Sequence, residues 1–301
     1  MEAAQLVEAA ALAAQGQQYP AGALYVVATP IGNLADVTLR AVHVLGLVDA
    51  IACEDTRRSA ALLRRLAITK PLIAVHAHNE RSASAAVLER LLRGERVAYV
   101  SDAGTPAVSD PGAALVAAAR AAGHRVVPIP GASSALAALS VAGDVDASGF
   151  VVVGFLPARG SERARAVAAV AQRAQTQVVF EAPHRIEGLA TALAAACPDR
   201  TTTLCRELTK QFETIATMPA RELAGWLAAD ANRARGEFVL VLHASRSAAP
   251  EGESVHDTLL VPLLAALPLK QAVAVAAEIA GAPRNALYAR ALALRGARDD
   301  G

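Results

Sequence analysis

Short apolar runs alternate with longer amphipathic segments from Ala23 onward, and this alternation constrains the fold more than any other feature. The apolar runs of the first half predict strands at Leu24–Ala28, Ala50–Cys53, Leu72–Val75, Val97–Val100 and Arg125–Ile129. Helical periodicity fills the intervals, at Thr38–Leu47, Thr56–Leu66, Ala83–Leu92 and Ala113–Ala122. Such a rhythm is typical of a parallel sheet that is covered by helices on both faces.

A second α/β unit follows the first. Its predicted strands are Phe150–Phe155, Val178–Phe180, Thr202–Cys205 and Glu237–His243, and its helices lie near Ser161–Arg173, Ile186–Ala196 and Ala220–Ala229. Beyond a linker at 245–252, the tail predicts three short helices. We therefore expect an α/β domain over 23–132, a second α/β domain over 133–246 and a helical module over 257–298. The first 22 residues predict an alanine-rich, partly frayed extension without a function.

Composition and charge exclude several classes of protein. Because the net charge is only +1, any surface that binds nucleic acid must be a local basic patch. The three cysteines lack the spacing of a zinc site or a disulfide framework. The longest uncharged run, 126–143, contains prolines and glycines that prevent a membrane-spanning helix. The amino terminus lacks the basic region of a signal peptide. We expect a cytoplasmic protein without a membrane partner.

Three loops rich in Gly, Pro, Ser and Thr follow three of the predicted strands, at 29–34, 101–112 and 130–134. Each leads into a helix and exposes backbone N–H donors, but none contains Lys or Arg, so they do not suit a phosphate-rich ligand. They suit a carboxylate, and Asp102 suits an ammonium or a ribose. S-adenosylmethionine presents these groups together with a sulfonium. The alternative is that all three are ordinary turns with helix caps.

Polar clusters follow the second and third strands, at 54–58 and 76–81, where a substrate should enter. The first is alternatively a helix start capped by Asp55 or Thr56, and the second a solvated turn. His76 and His78 lack a visible third metal ligand, so we expect no metal. The segment 235–241 reads equally well as a turn into a buried strand or as the lining of a cleft.

Several strings together resemble one known family. They are LYVVATPIGNL (24–34), CEDTR (53–57), HAHNE (76–80), VSDAGTP (100–106), RELTK (206–210) and RGE (235–237). They occur in the same order in the small-subunit ribosomal RNA (cytidine-2'-O)-methyltransferases of the tetrapyrrole methylase superfamily. The resemblance runs from about Leu24 to Leu294.

The resemblance implies a two-domain tetrapyrrole-methylase-like α/β fold with a parallel-sheet first domain, a mixed-sheet second domain and a small C-terminal helical module. It implies S-adenosylmethionine as cofactor, a homodimer, and a cytidine in the decoding centre of 16S rRNA as substrate, with no role for DNA. The tail resembles a helix-turn-helix, with Gly281 at its turn and Pro283 at the start of its second helix.

The resemblance and the loop chemistry together give the candidate site residues. The cofactor-binding candidates are Asp102, Gly104, Thr105, Pro106, Ser133, Ser134, Ala182, Pro183, Gly236 and Glu237. The catalytic candidates are Asp55 and Glu80 as bases and Arg57 to orient the substrate. The substrate-binding candidates are Asn33, Glu54, His76, Asn79, Lys270 and Arg284. Gly104→Val is expected to block the donor while it leaves the fold intact.

This chain departs from the family's pattern at Ala77, where many relatives have Asp between the two histidines. If that carboxylate matters, Glu80 or Asp55 must take its part. Two other functions stay open: a methylase of tetrapyrrole intermediates on the same fold, and a non-catalytic RNA-binding adaptor that uses the basic tail.

Overall fold

The structure is a computed structural model that describes residues 3–76, 80–108, 112–245 and 256–299. The chain forms two compact units, Met1–Ser245 and Arg246–Gly301. Within the described residues, no helix is both long and apolar enough to cross a membrane.

The first sheet of the first unit consists of five parallel strands in the order β3-β2-β4-β1-β5. They are β1 (Ala23–Val27), β2 (Ala50–Cys53), β3 (Leu72–Ala74), β4 (Val97–Val100) and β5 (Arg125–Ile129). The connecting helices are α2 (Leu39–Leu47), α3 (Thr56–Arg65), α4 (Glu80–Leu92) and α5 (Ala113–Ala121). The strand order reverses direction around β4 and β1, and ligands of such sheets bind outside the strand ends at that point.

Helices cover both faces of this sheet, as the alternation predicts. On one face, the core includes Tyr25 and Ile51 with residues of α2 and α3. On the other, Tyr99 packs with Leu115 of α5 and Leu91 of α4. The amino terminus is more regular than the predicted frayed extension, because residues 3–14 form a helix, α1 (Ala3–Ala14), with Ala10 buried in the first of these cores and Leu6 and Val7 packed against it.

The second sheet is mixed, in the order β6-β7-β10-β8-β9. Its strands are β6 (Phe150–Phe155), β7 (Thr176–Glu181), β8 (Thr201–Arg206), β9 (Thr214–Pro219) and β10 (Phe238–Leu242). Only β6 and β7 pair in parallel. Helices α7 (Gly160–Gln172), α8 (Ile186–Ala196) and α9 (Leu223–Ala228) cover one face, and α6 (Ser134–Ala142) packs on the other.

The second unit contains three helices, α10 (Asp257–Ala266), α11 (Leu269–Ala280) and α12 (Arg284–Asp299). Gly281 ends α11 in the left-handed conformation, and Pro283 immediately precedes α12, as the sequence predicts. Leu260, Val273 and Leu287 form a small buried core. An ion pair between Asp257 and Arg290 joins α10 to α12, with Arg290 Nε 2.8 Å from Asp257 Oδ1.

Candidate active site

A cleft lies at the carboxyl edge of the first sheet, against α6 and the second sheet. It encloses about 400 Å³, including space that is open to solvent. Its walls come from the loops after β1 and β4, the start of α6 and the segments beside β8 and β10. The lining residues are Ile31, Ala103, Ser134, Leu208, Glu237 and Val239. Among these described lining residues, Glu237 has the one charged side chain.

Hydrogen bonds join the three cation-free loops to one another. Thr29 and Gly104 exchange backbone hydrogen bonds of 2.9 and 3.0 Å. The Thr105 hydroxyl donates to the Ala132 carbonyl at 3.0 Å, and the Thr29 hydroxyl donates to the Ser101 carbonyl at 3.3 Å. Three segments that are far apart in the sequence thus form one wall of the cleft.

Gly104 occupies a conformation that few other residues adopt. Its φ is +81°, and a Cβ at this position would lie 3.2 Å from Ile31 Cγ2. A β-branched side chain is strained in this region regardless of any ligand. Gly104→Val therefore strains the backbone by itself, and the expectation that it leaves the fold intact stays a prediction.

The second sheet contributes a charged cluster of Glu207, Lys210 and Glu237, called the acid–lysine cluster below. Lys210 Nζ lies 2.9 Å from Glu207 Oε1 and 2.9 Å from Glu237 Oε2. The Glu237 backbone N–H also donates to Glu207 Oε1 at 2.8 Å. Two carboxylates and one ammonium give the cluster a net charge of −1 at the edge of the cleft. Such a charge favours a cationic ligand and disfavours a polyanionic one.

Two of these groups have shifted pKa values. Burial raises the pKa of Glu207, but the Glu237 N–H and the Lys210 ammonium outweigh it and hold that pKa below its usual value. Burial lowers the pKa of Lys210, and its bonds to Glu237 and Glu207 outweigh burial and raise it. Both groups are therefore charged at neutral pH.

Two glycines let this cluster form. A Cβ on Gly32 would lie 2.5 Å from Lys210 Cγ, so the lysine stem crosses the 29–34 loop at a distance that only glycine allows. Gly236 has a φ of +95°, and a Cβ there would lie 2.5 Å from Glu207 Cγ. The chain thus uses glycine to bring loops of the two sheets together.

Two of the candidate catalytic residues, Asp55 and Arg57, lie beside the 101–112 loop. Asp102 Oδ1 accepts the Asp55 backbone N–H at 3.1 Å, and Asp102 Oδ2 lies 3.2 Å from Arg58 Nη1. Asp55 caps α3 by accepting the Arg57 backbone N–H, and it also accepts Arg57 Nη2, both at 2.8 Å. The Arg57 side chain and backbone hold the pKa of Asp55 well below its usual range.

These contacts give both Asp102 and Asp55 a structural role. Asp102 positions the start of α3, and its role toward an ammonium stays a prediction. Asp55 is a helix cap, as one of the two sequence interpretations had it. The Asp55–Arg57 pair also offers a hydrogen-bond acceptor beside an exposed cation.

The candidate residues at the start of α6 and in the turn after β7 lie at the edge of the sheets that borders the cleft. Ser133 caps α6 through its backbone, and Ser134 begins that helix. Ala182 follows β7, and its N–H donates to Glu181 Oε1 at 3.0 Å. Glu181 is buried, with Arg163 Nη2 2.9 Å away and Arg185 Nε 3.0 Å away. These contacts fix the Ala182–Pro183 turn, which lies next to Glu237 because Glu181 pairs with Phe238.

The structure gives less detail on the positions of the remaining predicted residues. Asn33 caps a short turn, with its side chain accepting the Ala35 N–H at 3.1 Å. Glu54 and His76 follow the paired strands β2 and β3 at the same edge. Pro106 follows Thr105 in the 101–112 loop. Asn79 lies outside the described residues, as does the Glu80 side chain, although α4 begins at Glu80. Lys270 and Arg284 are exposed on the second unit.

Sequence reasoning missed Glu207, Lys210 and the apolar lining residues Ile31, Leu208 and Val239. The RELTK string contains Glu207 and Lys210, but nothing in the sequence pairs them with Glu237. Among the described residues, no group of three or more His, Cys, Asp or Glu is arranged to hold a metal ion.

Two family models match the chain. The family described as Tetrapyrrole (Corrin/Porphyrin) Methylases matches residues 23–224, and the RsmI C-terminal HTH domain matches residues 248–295. Together they span most of the sequence.

Several curated relatives carry the name Ribosomal RNA small subunit methyltransferase I. The protein from Pseudomonas aeruginosa is 47% identical over 281 residues, covering 92% of this chain and 99% of that protein. The one from Neisseria meningitidis serogroup B is 48% identical over 273 residues, covering 90% and 93%. The one from Haemophilus influenzae is 42% identical over 275 residues, covering 90% and 97%.

Solved structures share the fold at lower identity. Uroporphyrin-III-C-methyltransferase from Thermus thermophilus aligns with a TM-score of 0.53 and 21% identity, covering 76% of this chain and 98% of that one. Diphthine synthase aligns with a TM-score of 0.58 and 15% identity, covering 73% and 89%. A second Thermus structure of the uroporphyrin enzyme, at 20% identity and a TM-score of 0.52, contains S-adenyl homocysteine.

Proposed function

The chain belongs to the tetrapyrrole methylase family, in the branch of the ribosomal RNA small subunit methyltransferases I, and we propose that it methylates the 2'-hydroxyl of a cytidine ribose in the decoding centre of 16S rRNA. The methyl donor is S-adenosylmethionine. The observation that carries the proposal is the match to these enzymes over almost the whole chain, together with a cleft whose described lining has the Glu237 carboxylate as its one charged side chain.

The residues of the cleft fit this donor. Gly104 and Gly236 both have positive φ, and their missing side chains let Ile31 and Glu207 pack closely against the backbone and shape the cleft. Helix α6 begins at Ser134, so its first N–H groups suit a carboxylate. The net charge of −1 on the acid–lysine cluster suits the ammonium or the sulfonium.

The bound donor supplies a methyl group on a positively charged sulfur. The chain's task is to hold the ribose so that its 2'-oxygen, the methyl carbon and the sulfur are in line. Such alignment lowers a barrier by about 7–11 kcal/mol. Asp55 and Arg57 lie at the edge where the ribose enters, with Arg57 free at 89% side-chain exposure to reach a phosphate while it remains bonded to Asp55.

The 2'-hydroxyl must lose its proton as the bond to carbon forms. A general base contributes about 10²–10⁴-fold, and most when its pKa lies near the working pH. Because the pKa of Asp55 is well below its usual range, Asp55 is a weak base. We therefore place its contribution at the low end and keep Glu80 as the second candidate.

The second unit serves RNA binding in this proposal. Residues 262–298 carry five basic residues and one acidic residue, an excess that suits phosphate contacts. The substrate places the enzyme in the cytoplasm with the small ribosomal subunit.

A homodimer is part of the same proposal. The edge strand β6 exposes Phe150 at 51% and Phe155 at 60%, and Leu136 on the neighbouring α6 is 56% exposed. Large exposed apolar groups on an edge strand favour pairing with a second copy. Analytical ultracentrifugation tests this, since Phe155→Ser should shift the equilibrium toward monomer.

A methylase of tetrapyrrole intermediates is the second candidate, favoured only by the shared fold. Its polyanionic substrate needs cations, and the described lining residues include none, while Lys210 at the edge is already paired with two carboxylates. Incubation with tritiated S-adenosylmethionine separates the two candidates. We expect label to transfer to purified, unmethylated small ribosomal subunits and not to uroporphyrinogen III. Calorimetric binding of S-adenosylhomocysteine excludes the non-catalytic adaptor.

A further inference from the structure

Helix α12 presents a stripe of exposed side chains that the core of the second unit does not use. Arg284, Tyr288, Leu292 and Arg295 fall within about 80° of arc at 100° per residue. All four are exposed, with Tyr288 at 37% and Leu292 at 49%. We call them the α12 stripe.

The adjacent face of α12 accounts for the helix's packing. Leu287 and Ala291 are buried at 1% and 0%, and Arg290 is paired with Asp257. The arginine that faces inward is therefore neutralised, whereas Arg284 and Arg295 flank the two apolar side chains of the stripe. The sequence has no acidic residue between Arg284 and Arg298.

The geometry points to unpaired RNA as the occupant of the α12 stripe, with a base stacked on Tyr288 and phosphates on Arg284 and Arg295. This inference rests on the proposed function and names the element that recognises the RNA. The two arginines stand about 16 Å apart along the axis, at 1.5 Å per residue, which spans several nucleotides. Two apolar side chains are far too little surface for a stable second copy, which needs about 800 Å² per partner.

The form of the RNA follows from groove shape. The second helix of a helix-turn-helix enters the major groove of DNA, but the major groove of an RNA duplex is too deep and narrow for side chains to read. Sequence-tolerant contacts to RNA instead come from aromatic rings that stack on unpaired bases, with basic side chains along the backbone. The α12 stripe has this composition and order.

The test uses the full-length chain and purified, unmethylated small ribosomal subunits, with affinity measured over a range of KCl concentrations. Tyr288→Ala should weaken binding by about 5- to 150-fold, the value of one stacked base, with an unchanged salt slope. Tyr288→Phe keeps the ring and should bind as the wild type. Replacing both Arg284 and Arg295 by Gln should reduce the salt slope by about 1.4, at about 0.7 per single-strand phosphate contact.

Arg120→Gln is the matched control, because Arg120 is also exposed but lies at the end of α5, away from the carboxyl edge of the sheet. A single-stranded RNA oligonucleotide should compete for the wild type better than its duplex, and Tyr288→Ala should abolish this difference. Thermal melting confirms that the exposed substitutions leave the fold unchanged.

Wild-type affinity and salt slope in the Tyr288→Ala and double arginine variants would overturn the assignment of the stripe. Equal competition by duplex and single strand would overturn it as well. A change in sedimentation with unchanged subunit binding would make the stripe a contact between copies of the chain. If instead the wild type transfers no methyl group to the subunits, the proposed function fails, whatever the variants show.

Discussion

The glycine at the edge of the cleft gives the sharpest prediction. Gly236 has a φ of +95°, and an added Cβ would lie 2.5 Å from Glu207 Cγ and 2.7 Å from Glu207 Oε1. Gly236→Ala therefore strains the backbone and displaces the carboxylate that accepts the Glu237 N–H and the Lys210 ammonium. We therefore expect both Lys210 and Glu237 to move from their positions in the acid–lysine cluster.

The size of the effect follows from these contacts. A residue held in so unfavourable a backbone conformation costs about 1–3 kcal/mol. Hydrogen bonds to charged groups contribute about 1.5–3 kcal/mol each, and partial exposure of Lys210 and Glu207 reduces that value here. We expect a loss on the order of 4 kcal/mol, which lowers the melting temperature by roughly 10 °C in a chain of this size.

The assay is calorimetric melting followed by titration with S-adenosylhomocysteine at a temperature where the variant is folded. We expect weaker ligand binding as well as earlier melting. Gly188→Ala is the control, since Gly188 lies in α8 with nothing within 4 Å of an added Cβ. Alanine there should stabilise the fold by about 0.5–1 kcal/mol. A Gly236→Ala variant that melts and binds ligand like the wild type would refute the close approach of Gly236 and Glu207.

Three further results are expected. Asp55→Asn and Glu80→Gln should each lower the single-turnover methylation rate with little change in donor affinity; full rates in both would mean that catalysis is mostly alignment. The pKa of Glu207 in the folded chain lies below the usual value of about 4.3. The ionised Glu207 therefore stabilises the fold above that pH, and this stabilisation is lost as the pH falls through the lowered pKa. Glu207→Gln should thus be less stable at neutral pH and lose less on acidification, in urea melts at several pH values. A chain that ends at Ser247 should keep donor binding and dimerisation but lose affinity for the subunit; a soluble but monomeric truncation with normal RNA binding would show that the tail is structural.

Much of the fold could be predicted because local patterns decide it. The strands 50–53, 97–100 and 125–129 form where the apolar runs place them, and the first two are fully buried in the sheet. Strand β9 was missed because Thr214–Pro219 mixes threonine with one proline and half-buried side chains, and only pairing with β8 makes it a strand. Helix α1 was read as frayed because its burial depends on contacts with α2 and β1, which no local pattern reveals.

The site divides in the same way. The three cation-free loops could be located because Gly104 and its neighbours combine turn residues with the end of a strand, whereas their binding of a donor stays a prediction. The position of Lys210 could not be predicted. Its contacts with Glu207 and Glu237 depend on the β8–β9 hairpin, on β10 and on the missing side chain of Gly32. Contacts between loops of two sheets follow from the tertiary fold and leave no periodic signal in the sequence.

The position of the methyl group tests the proposed function most directly. Purified, unmethylated small ribosomal subunits are incubated with the wild-type chain and S-adenosylmethionine, and the 16S rRNA is then mapped nucleotide by nucleotide by mass spectrometry. We expect one new methyl group, on the ribose 2'-oxygen of a cytidine in the decoding centre. A methyl group on a base, on a ribose elsewhere in the RNA, or on no nucleotide at all would contradict the function proposed here.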